Sequence, residues 1–355
     1  MNSEQTGITC FGSFYILEQF KALFKASKGI TKRKNIEDIH DLRVATRRIR
    51  ASITVFGDHL FDKKNKSWIQ AIKNITRTYG ETRDLDVQIN FLKNFYKEID
   101  ENRYKPGIRR VLLRLQQHRK KLQEKVDAKA KDIKTDNQID QLMKYLEKMR
   151  AGCPDNLTYT QALYLLAFEN IHQFLDQFLF YEVYIPYPEK VHELHLMRIA
   201  AKRLRYTMEV FEPLYNAEII PFLEITRDVQ QSLGDIRDCD VWLEFLPKFI
   251  SKEQQRTDSY YGNIRPFNRL ISGIEYLIQN RKKMRDTLYR QFINKWKIWR
   301  REEIWLKLRE MTFSATLIPR ALQDDSTELT TIDLSQSETQ KTDDTQNNNT
   351  LANES

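Results

Sequence analysis

The chain has 355 residues and a net charge of +9. Hydrophobic residues make up 41% of it and charged residues 30%, which is typical of a globular protein and excludes a disordered one. No apolar stretch of about 18 residues occurs, and the N-terminus lacks a basic segment followed by an apolar one. We therefore expect neither a membrane span nor a secretion signal.

Glycine and proline, which interrupt regular secondary structure, are scarce. Ten glycines and nine prolines in the whole chain favour long helices over many short strands. The three cysteines, Cys10, Cys153 and Cys239, are odd in number and have no CxxC spacing, so they give no sign of zinc and favour a reducing compartment, the cytoplasm. The length is sufficient for two domains of ordinary size.

Helical periodicity predicts four helices in the first half of the chain, over about residues 8 to 28, 36 to 60, 65 to 98 and 106 to 150. At 100° per residue, basic side chains of the second helix share an arc of about 80°. They are His40, Arg43, Arg47 and Arg50. Apolar residues occupy the opposite face, namely Ala45, Ile49, Ile53 and Phe56. We expect this helix to pack one face and to present cations on the other.

The third predicted helix carries Lys73 and the element Arg83-Asp84-Leu85-Asp86-Val87. The two carboxylates of this element are able to hold a cation. We favour a structural role, in which Asp84 and Asp86 accept hydrogen bonds from arginines of the neighbouring basic helix and hold them in one rotamer.

Residues 151 to 157, AGCPDNL, contain Gly, Pro, Asp and Asn, which interrupt helices, and they end the first half of the chain. The sequence motifs of the first half then recur in the second. Seven of eighteen positions are identical between Ile39–Phe56 and Leu194–Phe211, and seven of thirteen between Gly80–Leu92 and Gly234–Leu246. The offsets are 155 and 154 residues, as a duplicated structural unit would leave. Helices are predicted in the second half over about residues 158 to 181, 188 to 213, 216 to 250 and 263 to 312.

The second repeat reproduces the chemistry of the first. Its basic face consists of His195, Arg198, Lys202 and Arg205, opposite Ala200, Leu204, Met208 and Phe211. Arg237, Asp238 and Asp240 match Arg83, Asp84 and Asp86, and Arg227 matches Lys73. We predict an all-α fold of two tandem four-helix bundles, over residues 8 to 150 and 155 to 315.

The last segment, residues 321 to 355, is predicted to be a disordered acidic tail, because it has no aromatic residue and is rich in Ser, Thr, Asn, Gln and Asp. Residues 323 to 355 carry a net charge of −7, so the rest of the chain carries +16. A body this basic requires anionic partners. Competition between the tail and such a partner is a hypothesis that the charges raise.

The basic faces favour a phosphate-rich partner. A solvated helix face usually interleaves acids, yet Ile39–Phe56 has four arginines against one aspartate. Arginine binds phosphate oxygens bidentately.

Two alternatives stay open. A nucleic-acid-binding module would interleave stacking aromatics, of which the two faces contain only Tyr206. His40-Asp41 resembles the HD pair of metal-dependent phosphohydrolases, but the second repeat has His195-Leu196 instead.

The duplicated HxxRxxxRRxR helix and the duplicated G-x-x-R-D-x-D-V element resemble those of the CHAD family, the histidine-bearing α-helical domain. The resemblance covers roughly residues 8 to 312. It implies two four-helix bundles related by a pseudo-two-fold axis, whose basic helices line a central cavity or channel that binds inorganic polyphosphate, without catalysis, cofactor or metal. No E-x-E-x-K strand precedes the repeat, so we expect a stand-alone member without a triphosphate-tunnel domain.

The resemblance assigns polyphosphate binding to a set of basic residues, which are His40, Arg43, Arg47, Arg48, Arg50, Lys73, His195, Arg198, Lys202, Arg203 and Arg205, with Arg83 and Arg237 as weaker candidates. We add Arg227 because it matches Lys73. Arg48 and Arg203 point about 100° away from the middle of the basic face on a helical wheel. Weak, non-specific binding of nucleic acid and a location at polyphosphate granules in the cytoplasm are further expectations.

Overall fold

Helices account for nearly all of the chain that the structure describes. The computed structural model describes residues 3–31, 37–61, 66–133, 136–154 and 159–317. The helices are α1 Ser3–Thr31, α2 Glu37–Leu60, α3 Lys66–Glu98, α4 Lys105–Asp132, α5 Asn137–Ala151, α6 Gln161–Leu179, α7 Val191–Tyr215, α8 Ile220–Tyr261, α9 Arg265–Arg301 and α10 Ile304–Thr316. No strand occurs in these ranges, so the all-α prediction is confirmed there. The predicted disordered tail lies outside the described residues.

The predicted helices differ from the observed ones chiefly at two breaks and one extension. The helices predicted over residues 106 to 150 and 263 to 312 are each broken in two. The side chain of Asp136 caps α5 by accepting the backbone N–H of Gln138 at 3.0 Å. Glu303 has a left-handed backbone, with φ 53°, and separates α9 from α10. Helix α8 continues 11 residues past the predicted end at 250 and stops at Gly262, with φ 67°.

The buried side chains form two clusters, and both repeats contribute to each of them. The larger cluster includes Phe56 of α2 and Phe211 of α7, whose ring centroids are 5.7 Å apart. The smaller cluster joins α3 and α4 of the first repeat to α8 and α9 of the second. Because these helices share one core, a self-contained four-helix bundle for each repeat is not confirmed. The domain ranges 8 to 150 and 155 to 315 stay predictions.

Helices α4 and α9 approach each other closely enough to require glycine at the contact. A Cβ atom on Gly107 would lie 2.2 Å from the carbonyl oxygen of Leu270, and one on Gly273 would lie 2.0 Å from that of Tyr104. Both obstacles are backbone atoms, which cannot move aside as a flexible side chain could. The close crossing therefore fixes how the two repeats meet at this end of the smaller core.

A buried carboxylate joins α4 to α8 beside the smaller core. The side chain of Glu253 is 1% exposed, and three arginines lie within 3.0 Å of its oxygens. They are Arg110 and Arg114 of α4 and Arg256 of α8. Hydrogen bonds from Arg114 and Arg256 lower the pKa of Glu253 and outweigh the opposing effect of burial. The carboxylate is therefore held in its charged form.

A disulfide connects α1 to the end of α5. Cys10 and Cys153 are 143 residues apart in sequence, and their Cα atoms are 5.7 Å apart. The expectation of reduced cysteines is wrong for this pair, because two distant thiols give no local spacing signal of a disulfide. Cys239 is buried and carries a free thiol.

Among the helices that the structure describes, none combines the length and the apolar character needed to cross a bilayer.

Candidate functional site

Helices α2 and α7, which carry the duplicated basic faces, pack against each other. The apolar side predicted for each of them is buried, which confirms the helical-wheel assignment. The buried residues are Ala45, Ile49, Ile53 and Phe56 on α2 and Ala200, Leu204, Met208 and Phe211 on α7. Burial of these side chains at a common contact leaves basic residues of both helices close together.

A basic cluster forms where the two helices meet. We use this name for Arg43 and Arg47 of α2 together with Arg198 and Lys202 of α7, all of which are half-buried. Arg47 crosses to the second repeat, where its Nη1 donates to the Tyr206 hydroxyl at 3.3 Å. The four side chains come from both repeats, as the resemblance to the CHAD family implies.

Lys202 is the most perturbed member of the basic cluster. Its pKa is lowered from 10.5 to about 7, first by desolvation and then by the positive charges of Arg198, Arg47, Arg43 and Arg205. Within the part of the chain that the structure describes, no carboxylate forms an ion pair with the Lys202 amine within 4.0 Å. The cluster therefore holds more positive charge than its own surroundings neutralise.

The glycine of each G-x-x-R-D-x-D-V element makes room for an arginine of the basic cluster. A Cβ atom on Gly80 would lie 3.1 Å from Nη1 of Arg43, and one on Gly234 would lie 3.3 Å from Nε of Arg198. Arg43 also donates to the Tyr79 carbonyl oxygen at 3.2 Å. The sequence does not reveal this role of the two glycines, although their repeat at matching positions is a signal that something requires them.

Two buried side-chain nitrogens of helix α7 have no hydrogen-bond partner among the described residues. They are Nε of Arg198 and Nδ1 of His195. Desolvation lowers the pKa of His195, and the charges of Arg237, Arg198 and Lys202 lower it further. His40, its equivalent in the first repeat, is exposed near the start of α2. The two histidines therefore have different environments in spite of their matching positions.

The first carboxylate of each R-D-x-D element lies beside the basic cluster. An oxygen of Asp84 is 3.6 Å from Nη2 of Arg43. Desolvation by the surrounding helices raises the pKa of Asp238, Arg198 lowers it, and Asp84 raises it again. The carboxylates of the two repeats are thus near enough to repel each other, and the charge of an arginine of a basic helix acts on each of them. The hydrogen bonds expected between these groups stay a prediction.

The second carboxylate of each element points elsewhere. Asp86 accepts from Arg119 of α4 at 2.7 Å, and Asp240 accepts from Arg285 of α9 at 2.5 Å. Residues two apart on a helix point about 200° apart, so the two aspartates of one element cannot serve the same neighbour. The expected contact of Asp86 and Asp240 with the arginines of α2 and α7 is therefore wrong.

Two of the predicted ligand residues share one buried carboxylate. Glu209, which is buried, accepts from Nε of Arg48 at 3.0 Å and from Nη1 of Arg205 at 2.7 Å. Arg205 also donates to Gln230 at 3.0 Å. Sequence reasoning misses Glu209. Its i,i+4 spacing from Arg205 is visible, whereas its contact with Arg48 depends on how α2 and α7 pack.

The remaining predicted residues surround the basic cluster at greater distance. Arg237 donates to Glu244 of its own helix at 2.8 Å, and the charge of Arg83 helps to lower the pKa of Arg43. Lys73 and Arg227 are exposed two turns before Gly80 and Gly234, and Arg50 and Arg203 are exposed on α2 and α7. In the described ranges no group of three His, Cys, Asp or Glu side chains is arranged to hold a metal ion.

Comparisons with known proteins agree with this architecture. The CHAD domain profile matches residues 14–247, a range that contains both basic helices and both R-D-x-D elements. The crystal structure of the CHAD domain from the plant Ricinus communis has a TM-score of 0.54 at 17% identity and covers 79% of this chain and 91% of its own. PptA from Streptomyces chartreusis has a TM-score of 0.51 at 14% identity, with coverage of 82% and 99%. A comparison with curated proteins finds no match. Because the profile matches more than half of the residues of this chain, the chain belongs to the CHAD domain family.

Proposed function

We propose that this protein binds inorganic polyphosphate on the basic cluster. The observation that carries the proposal is the environment of Lys202, which is half-buried among arginines of two helices and has no ion-paired carboxylate among the described residues. Like charges at about 4 Å repel each other by about 1 kcal/mol in bulk water and by about 4 kcal/mol near a protein surface. A linear polyanion with one charge on each internal phosphoryl group would relieve this repulsion along its whole length.

The chemistry of the cluster favours phosphate over nucleobases. Arginine predominates in it, and its planar guanidinium matches the oxygens of a phosphoryl group. Tyr206 is the one aromatic residue of the two basic faces, and it is buried, with Arg205 packed over its ring at 4.6 Å. Its ring is thus already covered, whereas proteins that hold single-stranded nucleic acid usually offer exposed rings for stacking.

We further propose that binding is not coupled to catalysis and that the protein resides in the cytoplasm at polyphosphate granules. We also propose that the basic faces of the two repeats are related by pseudo-two-fold symmetry and form one continuous site. Incubation with polyphosphate and Mg²⁺ or Mn²⁺ tests the first point, because a metal-dependent phosphohydrolase would release phosphate in proportion to enzyme concentration. Imaging of a fluorescent fusion against a polyphosphate stain tests the second.

The test of binding is a titration with long-chain polyphosphate, competed by single-stranded DNA, RNA and heparin. Arg43→Ala/Arg198→Ala is expected to weaken binding at least 30-fold, if each lost charge-assisted contact contributes about 1 kcal/mol or more. Lys144→Ala/Lys148→Ala removes the same charge from α5 and serves as the control. Binding that both pairs reduce equally, or that DNA displaces readily, would contradict the proposal.

A further inference from the structure

The two repeats differ at one position beside the basic cluster. With the offset of 155 residues, Arg48 matches Arg203 and Arg50 matches Arg205, so both repeats carry the same pair of arginines. The position one turn after the second arginine is Glu209 on α7 and threonine on α2. One repeat therefore has a carboxylate where the other has an exposed hydroxyl, that of Thr54.

In one half of the site the carboxylate bridges two arginines. Glu209 binds Arg205 of its own helix at 2.7 Å and Arg48 of α2 at 3.0 Å. Each arginine contacts a different oxygen of the carboxylate, so a single anion holds α2 and α7 together at this point. This geometry is an internal example of how an anion fits between these two helices.

In the other half the matching arginines lack the bridging anion. Thr54 donates to the Arg50 carbonyl oxygen at 3.0 Å and carries no charge. Arg50 and Arg203 are near enough that Arg203, after desolvation, is the main cause of the lowered pKa of Arg50. Both arginines are exposed, and neither forms an ion pair within the described part of the chain.

The arginine pair is accessible from solvent. Arg203 lines an open cavity of about 560 Å³ together with Phe180 and Tyr181, so a ligand can reach it without displacing a helix. Asp176, an acid on the same cavity, is already hydrogen-bonded to Arg309. Arg50, which does not line this cavity, is exposed on α2. A phosphoryl group can therefore reach both cations from solvent.

We propose that Arg50 and Arg203 bind one phosphoryl group of the ligand chain in the position that the Glu209 carboxylate takes between Arg48 and Arg205. The polyphosphate site is then asymmetric, because Glu209 closes one end of it and Thr54 leaves the other end open. This inference rests on the proposed function and adds to it a direction in which the bound chain extends.

Thr54→Glu tests the proposal by supplying the missing carboxylate. The new side chain is expected to pair with Arg50 and Arg203 and to weaken polyphosphate binding about tenfold. The dependence of log Kd on log salt should also become less steep, because fewer phosphates are neutralised. Thr54→Gln, which has the same size without the charge, should stay within twofold of the unmodified protein, as should Ser314→Glu on α10, which adds the same charge elsewhere.

The outcomes separate this proposal from the one on which it rests. If the unmodified protein fails to bind polyphosphate, the proposed function is wrong and this subsite is wrong with it. If the unmodified protein binds but Thr54→Glu and Thr54→Gln have the same affinity and the same salt dependence, only the subsite is overturned. Thermal unfolding of each variant verifies the fold, and the melting temperature of Thr54→Glu should not fall.

Discussion

Replacement of Lys202 by arginine should remove a pH dependence from ligand binding. The pKa of Lys202 is about 7 in the ligand-free protein, chiefly through desolvation and the charge of Arg198. Arg43 and Arg47 face it from α2, and Asp238 of α8 is the acid whose charge opposes them. An arginine at the same place stays protonated at any physiological pH. Lys202→Arg therefore keeps the charge and removes the titration.

The size of the effect follows from the two pKa values. At pH 8 a lysine of pKa 7 is only about one-tenth protonated, so a polyanion that restores the usual pKa near 10.5 takes up about 0.9 proton on binding. Affinity should then fall with rising pH, by about 50-fold between pH 7 and pH 9 if the restoration is complete. His195 contributes little in this window, since its pKa is lowered from an ordinary value of 6.5.

Titration calorimetry in Tris and in HEPES measures the proton uptake directly, because the two buffers have different heats of ionisation. The same proton balance acts on stability. Between pH 7 and about 10.5 the unfolded chain binds more protons than the folded one, so the ligand-free protein should become more stable as pH rises through this window. Equal proton uptake by the unmodified protein and Lys202→Arg would refute the reasoning.

Three further substitutions test separate features of the structure. Gly80→Ala should weaken polyphosphate binding about threefold to tenfold by displacing the Arg43 guanidinium, while the free energy of unfolding stays the same or rises by up to about 1 kcal/mol; titration and urea unfolding measure the two effects. Glu253→Gln should lower the free energy of unfolding by about 1 to 3 kcal/mol in urea, because it removes the negative charge that three partly exposed arginines share. Cys10→Ser removes the disulfide to Cys153, which closes a loop of 143 residues in the unmodified protein. Its melting temperature under non-reducing conditions should therefore fall to that of the reduced unmodified protein, and unequal melting temperatures would argue against the disulfide.

The sequence predicts the helical faces better than the partners of polar groups. The burial of Phe56 and Phe211 follows from a 3.6-residue period, which depends only on local geometry. The burial of these faces needs no knowledge of which helix packs on which. The convergence of Arg47 and Lys202 is instead what the resemblance to the CHAD family implies, because it places the two basic helices around a common cavity.

Other features depend on tertiary contacts that the sequence does not encode locally. Arg48 has the residue type expected of a phosphate ligand, but Glu209 is bound to it from 161 residues away. The break between α9 and α10 depends on the left-handed backbone of Glu303, a residue type with no strong preference for it. The split of each R-D-x-D element between two neighbours appears only when the helices are placed around it.

The smaller core has a consequence for how such a protein can change over time. Its apolar surface is divided between α3 and α4 on one side and α8 and α9 on the other, and the backbones touch at Gly107 and Gly273. A chain cut between the repeats would expose part of this apolar surface on each piece. A single repeat could cover that surface by pairing with a second copy, and two copies joined in one chain can then diverge in sequence, as Glu209 and Thr54 do.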